Sequence, residues 1–140
     1  MDEERLARIE AQLAVADLVH DYARAIRREA HEDIPALFAP DGTFEVRSGW
    51  PDRSDFAVRQ RFETPDALAA FLIEGRGKPH PVPLIHNLMI EVDGDTATAN
   101  AMMSAAIPGT DRTVTGEYLD SFVRQEGRWV FSSRIYTVYP

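Results

Sequence analysis

Apolar side chains in the first part of the chain recur every three or four residues. Residues 3–29 contain no Gly or Pro and are mostly good helix formers. The apolar positions drift around the predicted helix, and they are Leu6, Ile9, Leu13, Val15, Ala16, Leu18, Val19, Tyr22 and Ile26. This drift predicts one long helix whose two halves cover different surfaces.

The segment that follows is predicted to be short helix, short strand and irregular chain. A second helix is predicted at residues 34–38, and it ends before Pro40 because proline disfavours a helical residue in front of it. Asp41-Gly42 then turns the chain into a strand at residues 43–46. The polar residues 47–63 lack a clear period, so we expect an irregular rim or lid there.

A clear helix start follows at Thr-Pro-Asp, residues 64–66. Thr64 can cap the helix with its hydroxyl, and Pro65 suits the first helical position because no backbone N–H is needed there. Leu68 and Leu72 give this segment an apolar face, and Gly75 ends it. A third helix is therefore predicted between Thr64 and Gly75.

From Pro83 onward, apolar alternation and tight-turn signals predict four long strands. The turn signals are Asp93-Gly94 and Glu126-Gly127. This order of elements predicts the α+β class, with one long and two shorter helices packed against a strongly curved antiparallel sheet. No linker or repeat divides the chain, so residues 1–140 are predicted to form a single domain.

Strand alternation brings one histidine onto an otherwise aliphatic face. That face is formed by His86, Leu88, Ile90 and Val92. A two-residue turn at Asp93-Gly94 would pair His86 with Ala101 on the next strand, which carries small residues near the turn and opens toward Met103. Small residues on a concave face either let a helix dock closely or leave a cavity. In both cases His86 is predicted to lie at the wide end of the inner face.

The last two strands carry further candidate residues. Tyr118 and Asp120 share one face of the third long strand. A tight second turn would place Tyr118 beside Trp129 and Phe131, whereas a slip of one residue would place it with Arg134.

Composition restricts the possible partners. The chain has 140 residues, a formal net charge of −8 and a pI near 4.9, which disfavours nucleic acid and anionic membranes. It has no cysteine, so thiolate chemistry and cysteine-bound zinc are excluded. No apolar run approaches the roughly 18 residues that span a bilayer, and the charged N-terminus differs from a signal peptide. We expect a cytoplasmic protein.

Three motifs give the chain a family resemblance. They are "LVHDYARAIRREAHEDIPALFAPDGTFEV", "HNLMIEVDGDTATANA" and "TGEYLDSFVRQEGRWVFSSRI". Their order and spacing resemble the SnoaL-like family of the nuclear transport factor two-like superfamily, whose members include ketosteroid isomerases, scytalone dehydratase and polyketide cyclases. The resemblance implies a cone-shaped sheet with a hydrophobic pocket at its open end, a hydrophobic small-molecule ligand, no cofactor, and a homodimer or homotrimer.

The resemblance also implies site residues. His86 matches the histidine base of the dehydratase members, but the aspartate that orients this base is replaced by Arg27. Tyr22 matches the tyrosine that donates a hydrogen bond to a developing oxyanion in the isomerases, whose base position is Val46 here. His86 and Tyr22 are therefore the expected catalytic residues, although Tyr22 could equally be a core tyrosine.

Further residues are expected to contact a ligand. They are Tyr118, Met103, Asp120, Arg134 and Trp50. Arg134 resembles a return-strand arginine of the dehydrochlorinase member, but an ion pair with Glu117 or Asp120 is the favoured alternative. His20, His31 and His80 are expected on the surface or in loops. Because no histidine and carboxylate cluster has ligand spacing, no metal site is predicted.

Two functional hypotheses of different classes follow. The first is a cofactor-independent dehydratase, isomerase or cyclase that moves protons on a hydrophobic cyclic substrate. The second is a non-catalytic ligand-binding or assembly module of the same fold, including a role like that of a dioxygenase small subunit. The loss of both family aspartates favours the second hypothesis, and the presence of both His86 and Tyr22 favours the first.

Overall fold

Two helices and six strands account for most of residues 2–51 and 53–140, which a computed structural model describes. The helices are α1 (Glu3–Arg27) and α2 (Pro65–Glu74). The strands are β1 (Phe38–Ser48), β2 (Ala57–Phe62), β3 (Val82–Asp93), β4 (Thr96–Ala106), β5 (Thr113–Gln125) and β6 (Arg128–Val138). Two 3₁₀ turns, His31–Asp33 and Pro35–Leu37, connect α1 to β1.

Local sequence signals place both helices correctly. The Asp2 carboxylate accepts a hydrogen bond from the backbone N–H of Arg5 at 2.7 Å and caps α1. Thr64 Oγ1 accepts a hydrogen bond from the backbone N–H of Ala67 at 3.1 Å, and Gly75 follows the last residue of α2. The prediction that both halves of α1 cover a surface holds only for the second half, because Leu6, Ile9 and Leu13 are exposed whereas Tyr22 and Ile26 are buried.

The strands form one curved, unclosed sheet in the order β2-β1-β6-β5-β4-β3 within the described residues. Neighbouring strands are antiparallel except for β1 and β6, which run parallel. The buried half of α1 packs against the inner face of this sheet. The predicted α+β class is therefore confirmed, with one parallel pair that the sequence did not indicate.

The segment between α1 and α2 differs from its prediction. The helix predicted at residues 34–38 is only a 3₁₀ turn at Pro35–Leu37, and β1 already starts at Phe38. The segment predicted to be irregular contains β2, in which Phe62 pairs with Phe44 of β1. β2 is an edge strand, and most of its side chains are exposed. Its sequence is therefore polar and does not show the apolar alternation that would predict a strand.

A β-bulge in β3 reverses the expected orientation of His86. The turn of the β3–β4 hairpin is Gly94-Asp95, one residue later than predicted, and three steps along β3 from His86 to Met89 face two steps along β4. Asn87 lies in the bulge with a φ of 52°, in the left-handed region that asparagine tolerates. The extra residue breaks the alternation, so Ile85 pairs with buried Met103 and His86 pairs with Met102 on the outer face.

A second bulge, in β6, brings residues of opposite predicted parity onto the same face. Ser121 pairs with Ser133 while Phe122 pairs with Phe131, which leaves Ser132 as the extra residue. Phe131 and Arg134 are consequently both buried.

This bulge also changes the expected neighbour of Tyr118. Tyr118 pairs with Tyr136, whereas Trp129 pairs with Arg124. The predicted packing of Tyr118 against Trp129 is therefore wrong, and the alternative register with Arg134 is correct.

Candidate functional site

The inner side of the sheet encloses a cavity of about 510 Å³. Its walls come from α1, the first 3₁₀ turn, α2, the loop before β3 and the inner faces of β1, β2 and β4 to β6. The apolar and aromatic wall includes Ile26, Phe44, Val46, Phe62, Leu68 and Leu72. Exposed residues at Glu74, Lys78 and Pro79 mark where the cavity meets solvent. A cavity of this size and character suits a small hydrophobic molecule.

Three tyrosines line the inner end of the cavity. The rings of Tyr22 and Tyr118 meet edge to face at 6.4 Å, and Tyr136 lies against Tyr118 at 5.1 Å between centroids. The Tyr136 hydroxyl donates to Met103 Sδ at 3.6 Å. Burial raises the pKa of all three phenols above the usual value. These hydroxyls therefore remain protonated near neutral pH, so each can donate one hydrogen bond and can also accept a hydrogen bond through its oxygen.

A buried ion pair packs against the rings of two of these tyrosines. Arg134 Nε donates to Asp120 Oδ1 at 3.0 Å, and both side chains are fully buried. The Arg134 guanidinium lies 3.5 Å from the Tyr118 ring centroid and 4.5 Å from that of Tyr22. Burial raises the pKa of Asp120 to about 6, against the opposing effect of Arg134. The predicted ion pair of Arg134 with Asp120 is confirmed.

The predicted ligand contacts divide into two groups. Tyr22, Tyr118 and Met103 line the cavity, as expected. Asp120 and Arg134 do not line it, and the Arg134 guanidinium packs on the rings of Tyr118 and Tyr22, which do. Both residues were expected to touch the ligand, and that placement is wrong.

Trp50 also lies away from the cavity. Its side chain is 52% exposed and packs on Tyr139 at 5.8 Å between centroids. From this part of the chain, Gln60 and Phe62 of β2 line the cavity instead. The expectation that Trp50 contacts a ligand in the cavity is therefore wrong.

His86 lies outside the cavity on the outer face of the sheet. Its side chain is exposed, and its Nε2 is 3.1 Å from Ser104 Oγ on the neighbouring strand. The expectation that His86 faces the cavity as a base is wrong, because the bulge at Asn87 turns it outward. Arg27, at the position of the family aspartate, is exposed as well.

Two other histidines line the cavity instead. His31 is 2% exposed, and His80 is half-buried in the loop before β3. Their rings meet edge to face with centroids 6.4 Å apart. The sequence placed both in connecting segments, which is correct, but His80 was expected to be exposed and is half-buried, and no signal indicated that positions 31 and 80 meet. The proline-restrained sequence Pro79-His80-Pro81 was the one local hint of a fixed histidine.

Charged groups surround this histidine pair. His80 Nδ1 donates to the Pro81 carbonyl at 3.0 Å, and His80 Nε2 lies 3.8 Å from Glu29 Oε1. The backbone N–H of Gly77 donates to Glu29 Oε2 at 2.8 Å, and Arg76 donates to the Glu29 carbonyl at 3.1 Å. Burial lowers the pKa of His31, and nearby Arg76 lowers it further.

Residues 2–51 and 53–140 were also compared with the requirements of a metal cluster and of a membrane-spanning helix. No group of three or more histidine and carboxylate side chains there could hold a metal ion. Neither helix in the described chain is both long enough and apolar enough to cross a membrane.

Similar proteins share the fold over nearly the whole chain. A candidate beta subunit of an aromatic-ring-hydroxylating dioxygenase from Novosphingobium aromaticivorans DSM 12444 has a TM-score of 0.80 and 24% identity, covering 96% of this chain and 92% of that one. An NTF2-like protein of unknown function from Pseudomonas putida KT2440 has a TM-score of 0.72 and 17% identity, covering 92% and 87%. A candidate scytalone dehydratase from Novosphingobium aromaticivorans DSM 12444 has a TM-score of 0.70 and 22% identity, covering 94% and 85%.

These identities show a common fold and leave the chemistry open. No curated protein matches the chain. The family model described as the SnoaL-like domain matches residues 7–135, which is nearly the full length. The chain therefore belongs to the SnoaL-like domain family and has the NTF2-like fold.

Proposed function

We propose that the protein is a cofactor-independent enzyme that moves protons on a hydrophobic cyclic small molecule bound in the cone cavity. The observation that carries this proposal is the apolar cavity of about 510 Å³ with tyrosines at its inner end. Apolar walls favour a ligand without many polar groups, and a few convergent donors fix its orientation. Dehydration, isomerisation and cyclisation all fit such a site.

The tyrosines have a defined role in this proposal. Tyr22 and Tyr118 stay protonated because burial raises their pKa, so either hydroxyl can donate to a ligand oxygen. A donor of this kind stabilises the negative charge that develops on a carbonyl oxygen when a neighbouring C–H is deprotonated. The Arg134 guanidinium beneath both rings adds positive charge on the same side. His86 has no part in it, because it lies on the outer face.

Ligand binding in the cavity can be tested by filling it. Met103 is 1% exposed and lines the cavity, so Met103→Trp should remove much of the space. Its neighbour Met102 is half-buried on the outer face, so Met102→Trp is a matched control. With 2-naphthol or 2-tetralone as probes, thermal unfolding of the wild type and of Met102→Trp should shift upward with ligand concentration. Equal shifts in Met103→Trp would refute binding in this cavity.

A non-catalytic subunit is the second candidate function. The candidate dioxygenase beta subunit superposes well, and the outer sheet face exposes Leu84, Met89 and Leu119. An assembly role, or a homodimer or homotrimer, would cover some of this apolar surface. Analytical ultracentrifugation of the purified chain gives the oligomeric state. If the isolated chain accelerates proton exchange on a bound ketone, the purely non-catalytic role is refuted.

A further inference from the structure

We propose that His31, with His80 and Glu29 beside it, is the acid–base group of the cavity and acts on an enolisable C–H of a hydrophobic cyclic ketone. This inference rests on the proposed function of the cavity. It assigns the base to His31 in the first 3₁₀ turn instead of to His86 on β3. Its neighbour His80 lies in the loop before β3, far from His31 in the sequence. Three independent features of the molecule support it.

The first feature is an unpaired buried nitrogen. His31 Nδ1 is buried and has no hydrogen-bond partner among the described residues. Most buried polar side-chain atoms in proteins do have a partner, so a histidine that served only to stabilise the turn would be expected to use this nitrogen. The His31 side chain also lines the cavity. An unpaired imidazole beside a ligand-sized space is suited to a proton-transfer role.

The second feature is a partner histidine that is held in place. The His80 ring is fixed by its hydrogen bond to the Pro81 carbonyl, and it lies edge to face with His31. Glu29 Oε1 is 3.8 Å from His80 Nε2, and the Glu29 side chain remains one-third exposed. The hydrogen bond from Gly77 fixes the other oxygen of Glu29. His31, His80 and Glu29 thus form one cluster beside the cavity, with the partly exposed Glu29 at its outer side.

The third feature is the charge around His31. Burial, Arg76 and His80 each favour the neutral form of His31 and so lower its pKa. Glu29 and Glu32 favour the charged form, but the pKa is lowered overall. Lys78 and Glu74, of opposite charge, stand at the cavity opening. A neutral imidazole carries one unprotonated nitrogen, which is what a base needs at pH 7.

The proposed step is balanced within the site. His31 takes the proton from the carbon next to the ketone, and the C–H electron pair forms the C=C bond of the enolate. The carbonyl electrons move to oxygen, where the hydroxyl of Tyr22 or Tyr118 donates a hydrogen bond. The proton on His31 then exchanges with solvent water that enters through the cavity opening beside Lys78 and Pro79. Return of a proton to the same carbon regenerates the ketone.

Deuterium exchange into 2-tetralone tests this step directly. The ketone is incubated with protein in deuterated buffer, and proton NMR follows the loss of the signals beside the carbonyl above the buffer rate. Thermal shift with the same ketone measures binding separately. His31→Gln and His31→Asn remove the base, while His86→Gln and His20→Gln are matched controls at exposed positions outside the cavity.

The expected loss in both His31 variants is roughly 10²- to 10⁴-fold in exchange rate, with ketone binding retained. The controls should exchange like the wild type. In the wild type the rate should rise with pH and reach half its maximum below about 6.5, the usual histidine value. His80→Gln should move this midpoint upward and Glu29→Gln should move it downward, because the two groups shift the His31 pKa in opposite directions.

The outcomes separate the two proposals. Exchange at the wild-type rate in both His31 variants overturns this inference and leaves the proposed function intact. A wild type that binds 2-tetralone without accelerating exchange overturns proton transfer and this inference together. Absence of binding overturns the proposed ligand class. Unchanged midpoints in both His80→Gln and Glu29→Gln would show that these two groups do not act on the base.

Discussion

Removing one charge of the buried Asp120–Arg134 ion pair should destabilise the folded protein. Arg134→Met leaves the Asp120 carboxylate in the core without its guanidinium partner. Because both side chains are fully buried and joined at 3.0 Å, the free energy of unfolding should fall by about 3–5 kcal/mol. Asp120→Leu leaves the guanidinium unpaired and should have an effect in the same range. Contacts of Arg134 with the rings of Tyr118 and Tyr22 are lost only in the first variant.

The double variant Asp120→Leu/Arg134→Met should lose less stability than the two single variants together. It contains no unpaired charge, and the methionine thioether can pack against the same aromatic rings. Two Arg134 nitrogens, Nη1 and Nη2, and Asp120 Oδ2 have no hydrogen-bond partner among the described residues, so the wild-type pair is incompletely satisfied. The double variant should therefore lose no more than about 2 kcal/mol.

Urea unfolding followed by circular dichroism at pH 7.5 and pH 5 measures these differences. The Asp120 pKa is raised in the folded protein to about 6 and should rise further without Arg134. A raised pKa means that the folded state binds a proton that the unfolded state has released, so stability falls as pH rises from about 4 through the folded pKa. The deficit of Arg134→Met should thus be larger at pH 7.5 than at pH 5. Additive losses in the double variant, at either pH, would refute the argument.

Two backbone positions give further predictions. A Cβ on Gly116 would lie 2.3 Å from the Thr137 carbonyl oxygen, so Gly116→Ala should reach the upper end of the ~1–3 kcal/mol typical of overpacking. Gly75→Ala meets its nearest atom at an ordinary 3.5 Å and should unfold like the wild type, and equal thermal midpoints for the two variants would contradict this. Asn87→Val should cost about 1–3 kcal/mol because a β-branched residue resists a φ of 52°, whereas Asn87→Gly should be tolerated. Equal urea midpoints for these two Asn87 variants would show that the bulge relaxes.

Sequence reasoning succeeded where the determining signal is local. The cap at Thr64 and the helix end at Gly75 each depend on residues close by in the sequence. β2 escaped prediction because an edge strand with exposed side chains does not show the apolar alternation of a buried one. The pairing of His31 with His80 depends on how α1, α2 and the β3 loop fold together, so no spacing in the sequence could indicate it.

The two bulges have opposite effects on the inner face of the sheet, and together they define the candidate site. Alternation without the bulge at Asn87 would point His86 inward and Ile85 outward. Alternation without the extra residue Ser132 would place Arg134 on the face opposite Phe131, away from Asp120. One bulge thus removes an imidazole from the cavity wall, and the other brings a guanidinium beneath the tyrosines. Because His86 does not face the cavity, we propose that the base for proton transfer comes from outside the sheet, and His31 lines the cavity there.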